Sequence, residues 1–165
     1  MAQPGNKKLI ETGIPDIQGA CFAIIRTEWN AVIVDELERG CRKTLIKSGI
    51  EDINVVTVPG AFEIPFGIRA YWETHKYGHP PKAIIALGCI IRGDTPHFDY
   101  ICRAVTDGIL QLNLSLPIPV IFGVLTVDNI GQAEERMGGK HGHKGEEAAL
   151  TGLKMAGLQQ SLKRR

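Results

Sequence analysis

The sequence predicts a doubly wound α/β fold, a parallel sheet with helices on both faces. Three observations predict it. Four short, β-branched apolar runs recur along the 165 residues, as buried parallel strands require. Between them the apolar period lengthens to that of a helix. Strand and helix alternate throughout, with no internal repeat and no linker long enough to divide domains.

The first run is Cys21-Phe22-Ala23-Ile24-Ile25. It gives way to Val34, Leu37, Cys41 and Leu45, one apolar helical stripe. The second run, Ile53 to Val58, precedes a helix from about Ala61 to Tyr77, whose Pro65 must fall in the first turn. The third, Ala83 to Ile91, leads to a stripe of Ile101, Val105, Gly108 and Leu112. The fourth, Pro119 to Thr126, is followed by helical segments over about Asn129 to Arg136 and Lys144 to Leu162, the latter marked by Leu150, Leu153 and Gly157. Met137 to His143 joins those two. Right-handed crossovers then place helices on both faces.

Length fits a single domain over 1–165, with 1–18 as a flexible, polar extension. Nineteen basic against eighteen acidic residues give a net charge of +1, which implies no general affinity for nucleic acid or acidic membranes. Lys163-Arg164-Arg165 reads as a solvated helix end. Residues 1–12 lack the apolar centre of a signal peptide, and the longest apolar run, Lys82 to Ile91, is too short to span a bilayer. Cys21, Cys41, Cys89 and Cys102 show no CxxC spacing, the pattern of reduced, buried thiols in a cytoplasmic protein.

In an open α/β sheet, ligands bind at the loops leaving the carboxyl ends of strands. After the third strand comes Arg92-Gly93-Asp94-Thr95-Pro96-His97-Phe98-Asp99. A helix restarting there offers unpaired N–H groups to an anion such as phosphate. His97, in its first turn, adds a group suited to proton transfer near neutrality. Asp94 must point away from such an anion or offer only its backbone N–H. After the first strand, Glu28-Trp29-Asn30 holds no glycine-rich phosphate turn, so a dinucleotide site or P-loop is disfavoured. Trp29 offers a flat apolar face for a heteroaromatic ring, or else packs on its own neighbours. After the second strand, Gly60 and Ala61 admit close backbone approach, and Glu63 either binds hydroxyls and amines or caps a helix. His141 and His143 lack further ligands at familiar spacing, so no metal is expected. Arg136, Lys140 and Lys144 are cations available to a phosphate or heterocycle, or form a solvated helix end.

Taken in order, Glu28-Trp29-Asn30, Val58-Pro59-Gly60-Ala61-Phe62-Glu63-Ile64-Pro65, Gly88 to Ile101, Pro119 to Thr126 and Arg136 to Gly145 resemble the 6,7-dimethyl-8-ribityllumazine synthase family. The resemblance runs from about Gly19 to Leu158. It implies a flavodoxin-like three-layer α/β/α sandwich with a four-stranded parallel sheet. It also implies condensation of 5-amino-6-(D-ribitylamino)uracil with 3,4-dihydroxy-2-butanone 4-phosphate to the lumazine, phosphate and water, without cofactor. By resemblance Trp29 stacks on the pyrimidine, Ala61, Phe62 and Glu63 bind the ribityl chain, and Cys89, Ile90 and Ile91 line the heterocycle. Asp94 and Thr95 form the phosphate loop, Arg136 clamps phosphate, Lys144 lies near the site and His97 transfers protons. Phe122 closes over the ring from a neighbouring subunit.

The family's sites lie between subunits of a pentamer, and some members assemble twelve pentamers into a shell, in some cases with riboflavin synthase as partner. Arg136 and Lys144 are eight apart, the spacing of shell-forming members, although Gly139-Lys140-His141-Gly142-His143 departs from the usual turn. Two other readings stay open: a flavin- or lumazine-binding module without turnover, and a packaging shell protein. A pure binder has no need of His97 and Arg136 together.

Overall fold

The structure, a computed structural model, describes Ile17 and residues 19–163. The expectations for the N-terminal extension and for Arg164 and Arg165 therefore lie outside the described residues, apart from Ile17, which is buried.

Four strands, β1 (Phe22–Thr27), β2 (Ile53–Val58), β3 (Ala83–Ile91) and β4 (Val120–Val127), form one parallel sheet in the order β2-β1-β3-β4. Their registers pair Phe22 with Ile53, Phe22 with Ala83, and Ile85 with Ile121. The helices are α1 (Ala31–Lys47), α2 (Ile64–His75), α3 (His97–Ser115), the short α4 (Ile130–Glu134) and α5 (Lys144–Lys163). Inside α1, Val34, Leu37, Cys41 and Leu45 are all fully buried, as their spacing requires. Pro65 sits in the first turn of α2, where no intrahelical N–H is lost.

Two apolar clusters flank the sheet. On one face Phe22, Ile24, Ile85 and Leu87 pack with Leu37 of α1 and Leu153 of α5. On the other, Ile25, Ile84 and Val124 pack with Ile68 of α2 and Val105 of α3. The result is the expected three-layer α/β/α sandwich.

Several expectations need correction. β1 and β4 are displaced toward higher numbers by one or two residues, and Cys21 just precedes β1. The helix expected over 129–136 shrinks to α4, which Asn129 caps by accepting from the Gln132 N–H at 3.0 Å. The connection over 137–143 is a small hairpin, β5 (Met137–Gly139) with β6 (Gly142–His143), turning at Lys140-His141, with Gly138 and Gly142 of its strands both at positive φ. The two-sided burial expected of every strand fails at β2, where Val55 and Thr57 are exposed. β2 is an edge strand with β1 as its partner, so helices shield it less completely than the central strands. All four cysteines are free, but Cys102 is only half-buried, because it lies on the flank of α3.

Candidate active site

The strand order places a topological switch between β1 and β3. Chain leaving β1 runs to α1 on one face; chain leaving β3 runs to α3 on the other. In folds of this kind the two diverging loops frame the ligand-binding crevice at the carboxyl edge of the sheet.

Hydrogen bonds tie the three loops around that crevice together. The Glu28 and Trp29 N–H groups donate to the carbonyls of Val58 and Pro59 at 2.9 and 3.2 Å, joining the loops after β1 and β2. Asn30 Nδ2 donates to the Cys89 carbonyl at 2.8 Å, bridging β1 to β3 across the switch point. Asn30 also holds a left-handed conformation, φ 58° and ψ 41°, which asparagine tolerates better than most residues. Its carbonyl accepts from Ile33 and Val34, so this residue starts α1 while its side chain braces the crevice. Trp29, just before it, is 74% exposed. The alternative of a tryptophan packed on its own neighbours does not hold in this chain.

After β2, Ala61–Glu63 forms one 3₁₀ turn. Glu63 stands at the N-cap of α2 without a side-chain cap hydrogen bond, its carboxylate in the first turn where the helix dipole favours it. A Cβ on Gly60 would sit 3.0 Å from Glu63 Oε2, so glycine keeps that approach open. Phe62 is exposed, and Ala61 and Glu63 are half-buried. At the end of β3, Cys89 is buried while Ile90 and Ile91 are half-buried. Burial pushes the Cys89 thiol up to about 11, so it serves as neutral lining rather than as a nucleophile.

The loop beyond is open. Asp94, Thr95 and His97 are exposed, and His97 is the first residue of α3. Arg92, at the start of this loop, is engaged by neighbouring carboxylates. It donates to Asp128 at 2.9 Å and to Asp99 at 3.2 Å, and its guanidinium lies 4.1 Å above the Phe98 ring. It thereby clamps the start of α3 to the loop after β4, and its hydrogen bond, with one from Gln132, holds the Asp128 carboxyl below the usual range.

Arg136 and Lys144 belong to a second group. Arg136 forms a bidentate pair with Glu147 at 2.7 and 3.1 Å and also donates to the His141 carbonyl. The Lys144 N–H donates to the Arg136 carbonyl at 2.8 Å, and burial holds the Lys144 amine below its ordinary value. His143 is buried against Gly40 of α1 with Nε2 3.2 Å from Glu36 Oε1, and His141 is half-buried beside Arg136. This group packs with Met137 on the α1 and α5 face, whereas α3, which His97 begins, packs on the opposite face. Phe122 lies mid-strand in β4, paired with Ala86. The crevice rim begins near Thr126, so this chain does not bring its own Phe122 there.

The structure thus gathers Trp29, Ala61, Phe62, Glu63, Cys89, Ile90, Ile91, Asp94, Thr95 and His97 at one edge, and leaves Phe122, Arg136 and Lys144 apart from them. Sequence reasoning gave no role to Asn30, Arg92 or Glu147. An asparagine directly before a helical stripe, and a glutamate in the first turn after Lys144, were the available signals.

Fold and site define a doubly wound parallel α/β protein with an aromatic face and an imidazole flanking a carboxyl-edge crevice. The family model described as 6,7-dimethyl-8-ribityllumazine synthase matches residues 19–160. Relatives bearing that name include one from Porphyromonas gingivalis, 52% identical over 140 residues, covering 84% of each chain. One from Cytophaga hutchinsonii is 49% identical over 144 residues (86% of this chain, 88% of the relative). One from Christiangramia forsetii is 41% identical over 167 residues (99% and 98%). The chain belongs to the 6,7-dimethyl-8-ribityllumazine synthase family, and it is an enzyme, a transferase of riboflavin biosynthesis.

Proposed function

We propose that the crevice between β1 and β3 is where this chain condenses 5-amino-6-(D-ribitylamino)uracil with 3,4-dihydroxy-2-butanone 4-phosphate. The observation that carries this assignment is the placement of exposed His97 at the start of α3, one loop beyond the Cys89–Ile91 lining and across the Asn30 bridge from Trp29. Trp29 stacks on the pyrimidine, Ala61, Phe62 and Glu63 take the ribityl chain, and Cys89, Ile90 and Ile91 line the ring. Asp94 and Thr95 form the loop around the phosphate, with unpaired N–H groups of the first turn of α3 as donors.

The 5-amino group attacks the ketone and loses water to form an imine, phosphate departs by elimination, and the ribitylamino nitrogen closes the ring on the remaining carbonyl with loss of a second water. His97 carries the protons these steps release and consume. Holding two substrates in register supplies much of the acceleration. Arg136 clamps the phosphate. Its contacts to Glu147 and His141 use three of a guanidinium's five N–H donors, which leaves two for phosphate oxygens. Lys144 adds a second cation nearby.

In this reading 1–165 acts as one domain, and the site is completed between subunits of a pentamer, with Phe122 supplied by the neighbour. Support comes from the opposite-face placement of Arg136 and His97, and from bulky apolar side chains left open on α2 and α3, with Phe66 77% and Leu114 81% exposed. The pentamers build a sixty-subunit shell, with riboflavin synthase as a further partner, in the cytoplasm. Among the described residues no helix is long and apolar enough to cross a membrane.

Purified protein mixed with both substrates, followed by lumazine absorbance and fluorescence, tests the assignment. His97→Ala is expected to slow turnover roughly 10²–10⁴-fold without abolishing it. Wild-type turnover in that variant would remove His97 from proton transfer. A folded oligomer that binds riboflavin but forms no product would make the crevice a binding module.

A further inference from the structure

At the opposite end of the sheet, three donor side chains of three chemical kinds meet at the amino ends of adjacent strands. Cys21 precedes β1, Asp52 precedes β2, and His79 lies in the loop entering β3. One ligand atom from each lies within 4.8 Å of the others, and no other group of three or more such donors occurs among the described residues. His79 Nε2 stands 3.1 Å from Asp52 Oδ2. We propose that Cys21, Asp52 and His79 form a binding site for a zinc-class divalent ion, with solvent as the fourth ligand.

The donor set is specific. Thiolate, imidazole and carboxylate together suit a borderline ion such as Zn²⁺ or Co²⁺ and not Mg²⁺ or Ca²⁺, which take oxygen ligands. Three protein ligands plus an open position is a common zinc arrangement. Across a tetrahedral ion with bonds of about 2.0–2.3 Å, neighbouring donors stand roughly 3.3–3.7 Å apart. The His79–Asp52 pair is already close to that separation.

The backbone fixes two of the three ligands. Phe22 N–H donates to the Asp52 carbonyl at 2.9 Å, and Lys82 N–H donates to the Cys21 carbonyl at 2.8 Å. Asn54 Nδ2 donates to both Cys21 Sγ at 3.3 Å and Asp52 Oδ1 at 3.0 Å. That turns Oδ2 toward His79 and offers the sulfur a donor compatible with thiolate, as outer-shell partners of metal ligands do. His79 supplies the adjustment. It is 64% exposed and follows Gly78, at φ +92° with open space around it.

Full-length protein freed of metal by dialysis against a chelator and titrated with cobalt(II) chloride tests the site. The expected result is one equivalent per chain, tetrahedral visible bands, a near-ultraviolet thiolate-to-cobalt band, and displacement by zinc. Cys21→Ser should abolish the thiolate band, and Cys102→Ser should retain it. Asn54→Ala should weaken affinity roughly 10–100-fold. His79→Ala alters an exposed side chain, so it should fold normally, lose at least tenfold in affinity and keep full lumazine formation, because the crevice lies at the other edge. Absence of a thiolate band, its survival in Cys21→Ser, or unchanged affinity in His79→Ala would leave only a His–Asp ion pair and overturn the proposal.

Discussion

The loop after β3 and the hairpin after α4 both carry proposed phosphate ligands, yet they are built in opposite ways. Around Gly93 a Cβ would meet nothing within 4 Å, and Asp94, Thr95 and His97 are exposed. Around the hairpin there is no room. A Cβ on Gly145 would lie 2.0 Å from the Leu37 carbonyl oxygen, and one on Gly40 would lie 2.2 Å from the His143 ring. One segment is left free to close on a ligand. The other is a rigid frame that aims one guanidinium.

The largest effect should therefore come from Gly145→Ala. Its methyl meets backbone, which cannot rotate away, so α5 must shift off α1. Overpacking of this kind costs about 3 kcal/mol or more, read as a lowered urea midpoint with unchanged slope. Stability within about 1 kcal/mol of the parent would mean that the hairpin side is less tightly built than its glycines indicate.

Next comes Glu147→Ala. Arg136 is only 18% exposed, and removing its bidentate partner leaves a mostly covered cation. A loss of about 1–3 kcal/mol is expected, together with a raised KM for the phosphate-bearing substrate while the KM for the pyrimidine holds. Equal changes in both KM values would indicate a general collapse of the frame.

How legible each region was in the sequence follows from the same contrast. The β3 loop announced itself, because a run of β-branched residues, a Gly-Asp-Thr-Pro turn and a histidine are local signals. All four strands were likewise readable from their short β-branched runs, and the stripe of α1 from its period. The hairpin was not. Met137–Gly139 is too short for any alternation to register, and the reasons for Gly40 and Gly145 lie on elements about a hundred residues apart in sequence. Glu147 was missed for the same reason, since its partner is fixed by the fold of the hairpin. Exposure of β2 was hidden as well, because Val55 looks buried until the strand is found at an edge.

A smaller effect of opposite sign is expected at Lys144. Burial depresses its amine, so the charged form is less favourable in the fold than in the unfolded chain. That cost is fully present below the folded pKa and fades as pH rises from there through the unfolded value of about 10.4. Lys144→Met should raise Tm at pH 7, with the gain vanishing near pH 11, and should lower turnover if the amine serves the phosphate site. A Tm gain that does not vary with pH would trace to packing rather than to charge.

The smallest effect belongs to Gly93→Ala, and it sharpens the comparison most. Gly93 has open space around its Cβ position and no positive φ, so alanine fits the folded conformation without strain. Fewer unfolded conformations then stabilise the chain by about 0.4–1 kcal/mol. The added methyl, however, stands where a phosphate would approach the backbone. Stability should therefore rise slightly while the KM for the phosphate-bearing substrate also rises, a split that crowding within the free protein cannot produce. A destabilised Gly93→Ala with normal KM would show that the β3 loop is already packed before substrate arrives, and the distinction between an open loop and a rigid frame would fall.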